Sequence, residues 1–222
     1  MWRLALVAVL LVVVVVGCGE AEPEGPKTYA AYPAMDIPAG EPWVIVTTSL
    51  GRMTFTLFAE EAPLAVNSFL FLANEGYFDG VTFHRLIPGF MVQGGDPTGT
   101  GTGGPGYSFE IEPPQRPYVR GGLAMANKGP GTSNGSQFFI ILDDLTAQER
   151  LSPDFTLFGQ IKEGHQASFD TLAKIEAVPV GTAADGESSV PQQAITISAM
   201  KTGVTLNCSG DGSTAAGFNC RP

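Results

Sequence analysis

The sequence predicts a mainly β domain, a closed or nearly closed β-barrel with helices capping it. Three observations carry this. Short apolar or alternating runs recur between Gly-rich turns, only two stretches have a helical period, and strands do not alternate with helices as in a β-α-β protein. At 222 residues of globular composition, the chain holds one substantial core plus appendages.

The opening MWRLALVAVLLVVVVVGC stands outside that core. It carries Arg3, an apolar run from Leu4 to Val16, then Gly17 and Cys18. The run is shorter than the ~20 residues of a membrane-spanning helix. The chain turns polar at once, at Gly19-Glu20-Ala21-Glu22, so a targeting segment is expected. VVGC, Val15 to Cys18, resembles the bacterial lipobox, whose cysteine is acylated and becomes the mature N-terminus. The resemblance implies a signal peptide over 1–17 and an extracytoplasmic protein held to a bacterial membrane by lipid on Cys18. Residues 18–42 carry Pro23, Pro26, Pro33, Pro38 and Pro42 with no apolar period. They are expected to be a stiffened tether, its Glu20 to Pro42 stretch reaching up to ~75 Å at ~3.3 Å per residue. Packing onto the domain is the alternative near Tyr29 to Ile37.

The folded domain is expected over 43–201. Strands are predicted at Trp43 to Thr48 and Met53 to Phe58, around a turn at Ser49-Leu50-Gly51-Arg52. In Ala62 to Phe78, Leu64, Val66, Phe69, Leu70 and Leu72 fall mostly on one helical face, with Pro63 in the first turn and Gly76 at the end. Strand-like runs follow at VTFHRLI, FMVQG, YSFEIE, GGLAMA, SQFFIIL and FTLFGQI. A second helix, about His165 to Ala177, precedes a last strand from Ala194, and residues 202–222 form a tail.

Several function classes are disfavoured. Net charge is −10, and −11 once Arg3 leaves with the leader, which argues against a nucleic-acid partner. GTGTGG, Gly99 to Gly104, fits a dinucleotide fingerprint in letters only, because Pro105-Gly106 follows where a helix N-terminus is needed. His84 and His165 have no nucleophile elbow to serve, and the three cysteines sit at the chain ends. His165 reads as an end-turn residue and His84 as a structural histidine facing away from Arg85. No metal-ligand spacing occurs, so neither a metal nor another cofactor is expected.

What is left is an arginine without a nucleophile: Arg85, among apolar residues in FHRLIPGFMVQGGD. Together with GTGG at Gly101 to Gly104, MANKGPGTSNGSQFFI at Met125 to Ile140 and FGQIKEG at Phe158 to Gly164, this block resembles the signatures of the cyclophilin family of peptidyl-prolyl cis-trans isomerases. The resemblance covers about Val44 to Met200. It implies a closed eight-stranded antiparallel barrel with two capping helices, and an enzyme that turns X-Pro bonds in exported or unfolded chains. Carried across, the catalytic residue is Arg85 and the proline pocket is Phe90, Met91, Phe139 and Leu151. The side-chain amides are Gln93 and Gln137, and Gly101, Ala126, Asn127 and Phe155 complete the substrate-binding set. The partners implied are proline-containing polypeptides, with a monomer expected and the membrane reached only through lipid. Arg150 stands where many members have tryptophan, Phe155 where many have histidine, and Lys128 where a small residue is usual. A non-catalytic proline-binding chaperone module is the rival reading, distinguished by Arg85, since gripping a ring needs only the apolar floor.

If Cys18 is acylated, Cys208 and Cys220 are the two thiols left in an exported chain, and they are expected to pair as a disulfide across the flexible GDGSTAAG.

Overall fold

The computed structural model describes residues 26–127 and 134–205. Cys18, Lys128, Cys208 and Cys220 therefore lie outside the described residues, as does the expected leader.

Ten strands and three helices occur among these residues. In chain order they are β1 (Glu41–Thr48), β2 (Gly51–Leu57), α1 (Pro63–Asn74), β3 (Arg85–Ile87), β4 (Met91–Gly94), β5 (Gly122–Met125), β6 (Phe138–Ile141), α2 (Asp144–Arg150), β7 (Leu157–Ile161), α3 (Gln166–Glu176), β8 (Val180–Thr182), β9 (Ser188–Pro191) and β10 (Ile197–Thr205). Eight of the strands form one antiparallel sheet in the order β10-β1-β2-β7-β5-β6-β4-β3.

The expected closure is corrected. The sheet is an open half-barrel whose edges are β3 and β10, and no ladder joins them. Across the seam runs an isolated bridge, Thr82 to Thr196, supported by backbone bonds from Gly80 to Ile197 O and from Phe83 to Ile195 O. The chain before β3 is a series of turns through residue 80, so it meets β10 only point by point.

Two-residue periodicity gives the sheet two different faces. Leu86, Val92, Leu123, Met125, Phe138 and Ile140 point into a large inner core. That core also receives Val66, Phe69 and Leu72 from α1 and Leu172 and Ile175 from α3. Met91, Ala124, Phe139, Ile141 and Leu157, the alternate residues, form a second cluster on the opposite face. Strands buried on both faces read as continuous apolar runs, which is why FFII at 138–141 shows no alternation.

The predicted helices appear as α1 and α3, but YSFEIE does not form a strand. Its backbone is engaged by side chains: Thr156 Oγ1 accepts from Glu112 N–H at 2.8 Å, and Asn134 Nδ2 donates to Glu110 O at 3.2 Å. Only a bridge, Phe109 to Asn134, remains. Glu112 in turn caps α1, which has no side-chain cap of its own, by accepting from Leu64 and Ala65 N–H at 2.8 and 2.9 Å.

The Pro-rich stretch lies against the domain from Lys27 onward, in line with the alternative left open around Tyr29 to Ile37. Tyr29 N–H donates to Pro105 O at 2.7 Å, Tyr32 Oη donates to Leu64 O at 2.7 Å, and Ile37 packs on the inner core. Strand pairing continues outside the expected 43–201 limits, with Glu41 opposite Thr205.

Candidate active site

Arg85 starts β3, and its register partner on β4 is Gln93. Gln93 is opposite Phe139 on β6, and Phe139 is opposite Ala124 on β5. Register partners share a face, so the arginine, an amide and an aromatic floor stand in one transverse row on the outer side of the sheet. The next row is Ile87, Met91 and Ile141. The β3–β4 turn that sets this register is Ile87-Pro88-Gly89-Phe90, with Pro88 at the second position, Gly89 at φ +69° and Phe90 N–H bonded to Ile87 O at 3.0 Å.

Arg85, Phe90, Met91, Gln93, Ala126, Asn127, Phe139, Leu151 and Phe155 surround one cavity of about 250 Å³, with Arg150 as an additional wall. Phe90, Met91 and Phe139 are buried, and Phe155 meets Phe139 edge-on at 5.6 Å. Tyr118 Oη fixes the Phe155 loop by donating to Phe155 O at 2.7 Å and Ser152 O at 3.0 Å. Asn127 Nδ2 donates to Asp154 O at 2.8 Å, tying the end of β5 to the same loop. Gly101 and Gln137 lie instead in an adjoining groove of about 1040 Å³, which shares Gln93, Ala126 and Asn127 with the cavity.

A chain of amides links groove and cavity, and its polarity is determined. Gln137 Nε2 donates to Gly101 O at 3.0 Å and Gly103 O at 2.9 Å, so Gln137 Oε1 is free only to accept. It accepts from Gln93 Nε2 at 2.9 Å, which turns Gln93 Oε1 toward Arg85 Nη1, 3.4 Å away. Two carbonyls at one end thus orient an acceptor beside the guanidinium at the other. Among the described residues, Gln93 Nε2 has no other acceptor for its second hydrogen.

Three features were not anticipated from the sequence. Glu187 binds Arg85 through two nitrogens, at 2.8 and 3.0 Å, and that guanidinium holds the Glu187 carboxyl below the usual range. Arg150, exposed at the end of α2, places its guanidinium 4.2 Å over the Phe90 ring. α2 itself, only seven residues long, brings Arg150 and Leu151 to the cavity. His84 is off the Arg85 row as expected, but its buried Nδ1 has no hydrogen-bond partner among the described residues. Burial, reinforced by the Arg85 charge, pulls its pKa down against the opposing pull of Asp96. His165 stands at the N-terminal end of α3, with Nδ1 2.7 Å from Ser168 Oγ. No group of three or more His, Cys, Asp or Glu among the described residues is placed to hold a metal ion.

Known proteins resemble this chain in sequence and in fold. The chain is 48% identical over 115 residues to peptidyl-prolyl cis-trans isomerase B of Bacillus subtilis, an alignment covering 51% of this chain and 78% of that one. It is 49% identical over 129 residues to peptidyl-prolyl isomerase CWC27 of Cryptococcus neoformans, covering 56% of this chain and 26% of the relative. The chain thus spans about a quarter of the length of that longer relative. A crystal structure of a Cryptosporidium parvum cyclophilin type peptidyl-prolyl cis-trans isomerase superposes with TM-score 0.64 at 35% identity, covering 74% of this chain and 99% of that one. The same C. parvum protein is also known in the presence of the dipeptide Ala-Pro. The model of the cyclophilin type peptidyl-prolyl cis-trans isomerase/CLD family matches residues 43–202, and the chain belongs to that family.

Proposed function

We propose that this protein is a peptidyl-prolyl cis-trans isomerase acting on X-Pro bonds of exported or unfolded chains. The carrying observation is the row Arg85, Gln93, Phe139, which puts a permanent cation and an oriented amide at the wall of an apolar cavity. Rotation about a peptide C–N bond meets a barrier of ~18–20 kcal/mol, because resonance gives it double-bond character. No covalent bond has to break. At X-Pro the two isomers are close in energy yet exchange in tens to hundreds of seconds, so a catalyst need only favour the twisted state.

In that state the prolyl nitrogen becomes pyramidal and regains its lone pair. Arg85 supplies a donor to it, held in a planar, pre-organised fork. Phe90, Met91, Phe139 and Leu151 hold the ring, Gln93 Nε2 takes the carbonyl oxygen, and the backbone at Ala126 and Asn127 holds the preceding residue. One side of the bond is clamped while the other turns. Stabilisation then falls on the transition state alone. Lowering the barrier by ~6 kcal/mol gives roughly a 10⁴-fold acceleration. The row is complete within one chain, so the proposed activity needs no second copy.

A peptide assay decides between catalysis and the rival binding module. The soluble domain is expected to accelerate cis-trans exchange of a proline peptide, followed by exchange NMR. A domain that binds the peptide but leaves its exchange rate unchanged is the chaperone module instead.

The VVGC motif after the apolar run supports a lipid-anchored, extracytoplasmic protein, with Cys18 as the acylated residue. Two or more acyl chains give stable anchoring where one is marginal. Among the described residues, no helix is long and apolar enough to cross a membrane. Mass spectrometry of the native protein should find a mature chain starting at acylated Cys18; an unmodified chain starting elsewhere rules the anchor out.

A further inference from the structure

Arg85 is gripped from outside the cyclophilin signature blocks. After α3 the chain makes a small hairpin of β8 and β9, and β9 lies against β3. At the hairpin tip Gly186, at φ +90°, donates to Ala183 O at 3.0 Å. Ala183 N–H donates to Glu187 O at 2.7 Å, and Glu187 N–H to Asp185 Oδ1 at 3.0 Å. This turn fixes the Glu187 backbone. Its carboxylate reaches the arginine side-on, Oε2 accepting from Nε at 2.8 Å and Oε1 from Nη2 at 3.0 Å.

A guanidinium is planar and offers its donors in a fixed fork. With Nε and Nη2 both on Glu187, the plane of Arg85 is set and so is the direction of Nη1, the nitrogen beside Gln93. We propose that Glu187 is a positioning residue for the isomerase: it holds two nitrogens of Arg85 and thereby aims the third, Nη1, at the prolyl nitrogen. The inference rests on the isomerase reading of Arg85. Both side chains are about one-third exposed, 37% and 32%. Ion pairs in that setting add little to folding stability, so loss of Glu187 should act on turnover rather than on the fold.

The test is Glu187→Ala and Glu187→Gln, each alone and with Arg85→Ala, in the peptide exchange assay. Glu187→Ala should lower kcat about tenfold, with KM within about twofold and little change in Tm, because a loosened donor is lost mainly from the transition state. Glu187→Gln keeps one acceptor of the same length but loses the second, its NH2 being a donor, so its kcat should fall between those of wild type and Glu187→Ala. In the Arg85→Ala background Glu187→Ala should do nothing further. Unchanged or raised kcat in Glu187→Ala overturns the inference, as does an equal loss with and without Arg85. If the alanine variant does not fold, Glu187→Asp replaces it; a carboxylate one methylene shorter cannot span both nitrogens, and it must show the kcat loss. If the wild type itself does not isomerise, the isomerase reading fails and Glu187 is judged by NMR alone. The Arg85 Nε–H signal should then exchange slowly in wild type and rapidly in Glu187→Ala; equal exchange in both refutes positioning.

Discussion

Replacing Gln137 by leucine would keep the volume of the side chain and remove the amide link between the groove and Arg85 seen among the described residues. Three hydrogen bonds disappear: the one from Gln93 Nε2 at 2.9 Å and those to Gly101 O and Gly103 O at 3.0 and 2.9 Å. At about 0.5–1.5 kcal/mol net each, and with these half-buried groups able to recover water, the loss of stability should be about 1.5 kcal/mol. The effect on rate has a different origin. Without Gln137, only the long 3.4 Å contact to Arg85 Nη1 orients the Gln93 amide. Re-fixing a freed glutamine in the transition state costs about 1–1.5 kcal/mol of side-chain entropy, a fivefold to tenfold fall in kcat. KM should change little, because the apolar walls are untouched. The assay is kcat and KM on a proline peptide beside a thermal melt. A variant that melts lower yet turns over as fast as wild type would show the amide chain to be a structural brace only, and the reasoning would be wrong.

Three further outcomes are expected. Cyclosporin-type macrocycles, which other family members pack against a tryptophan, should bind weakly here, since Arg150 sits over Phe90 and offers no indole; Arg150→Trp should tighten binding in a titration, and no change rejects that explanation. Asp96 is buried, which by itself raises its pKa, yet bonds from Thr98 Oγ1 and from backbone N–H groups including Thr98 and Gly103 outweigh that and hold it below the usual range. Its contribution to stability is present above the unfolded value and is lost as pH falls through the folded one, below about 4; Asp96→Asn should cost about 2 kcal/mol at neutral pH and lack that acid limb in pH-dependent melts. Cys208 and Cys220 are expected to be bridged, so thiol titration of the unfolded, unreduced soluble domain should find none of the pair reactive, and reduction should leave isomerase activity intact.

The site was legible because its residues lie in contiguous blocks whose order and parity carry the geometry. The pocket residues were named by the cyclophilin resemblance, and the resemblance was readable because Arg85 and Gln93 flank one Pro-Gly turn and Phe139 is two residues from Gln137. Glu187 was not legible for the opposite reason. VGT and SSVP are short and polar, no period marks them as strands, and β3, against which β9 lies, comes about a hundred residues earlier. α2 has seven residues, too few for a helical period to emerge. YSFEIE alternates like a strand, but Asn134 and Thr156 hold backbone groups that a neighbouring strand would need. The Pro-rich stretch has no period because Tyr29, Tyr32 and Ile37 dock singly into gaps around α1, as Asn67 shows by its bonds to Tyr32 Oη and Ala34 O. Barrel closure depends on edge pairing, and alternation within a strand says nothing about whether its edge finds a partner.

The role of Arg85 is tested most directly by measuring X-Pro exchange rate and peptide affinity together, for wild type and Arg85→Ala. A guanidinium that acts only on the twisted state predicts a fall in exchange rate of about 10²–10³-fold, the scale of a lost transition-state donor, with affinity within about threefold. Equal rates in the two proteins, or rate and affinity falling by the same factor, would contradict it and leave Arg85 as a binding residue.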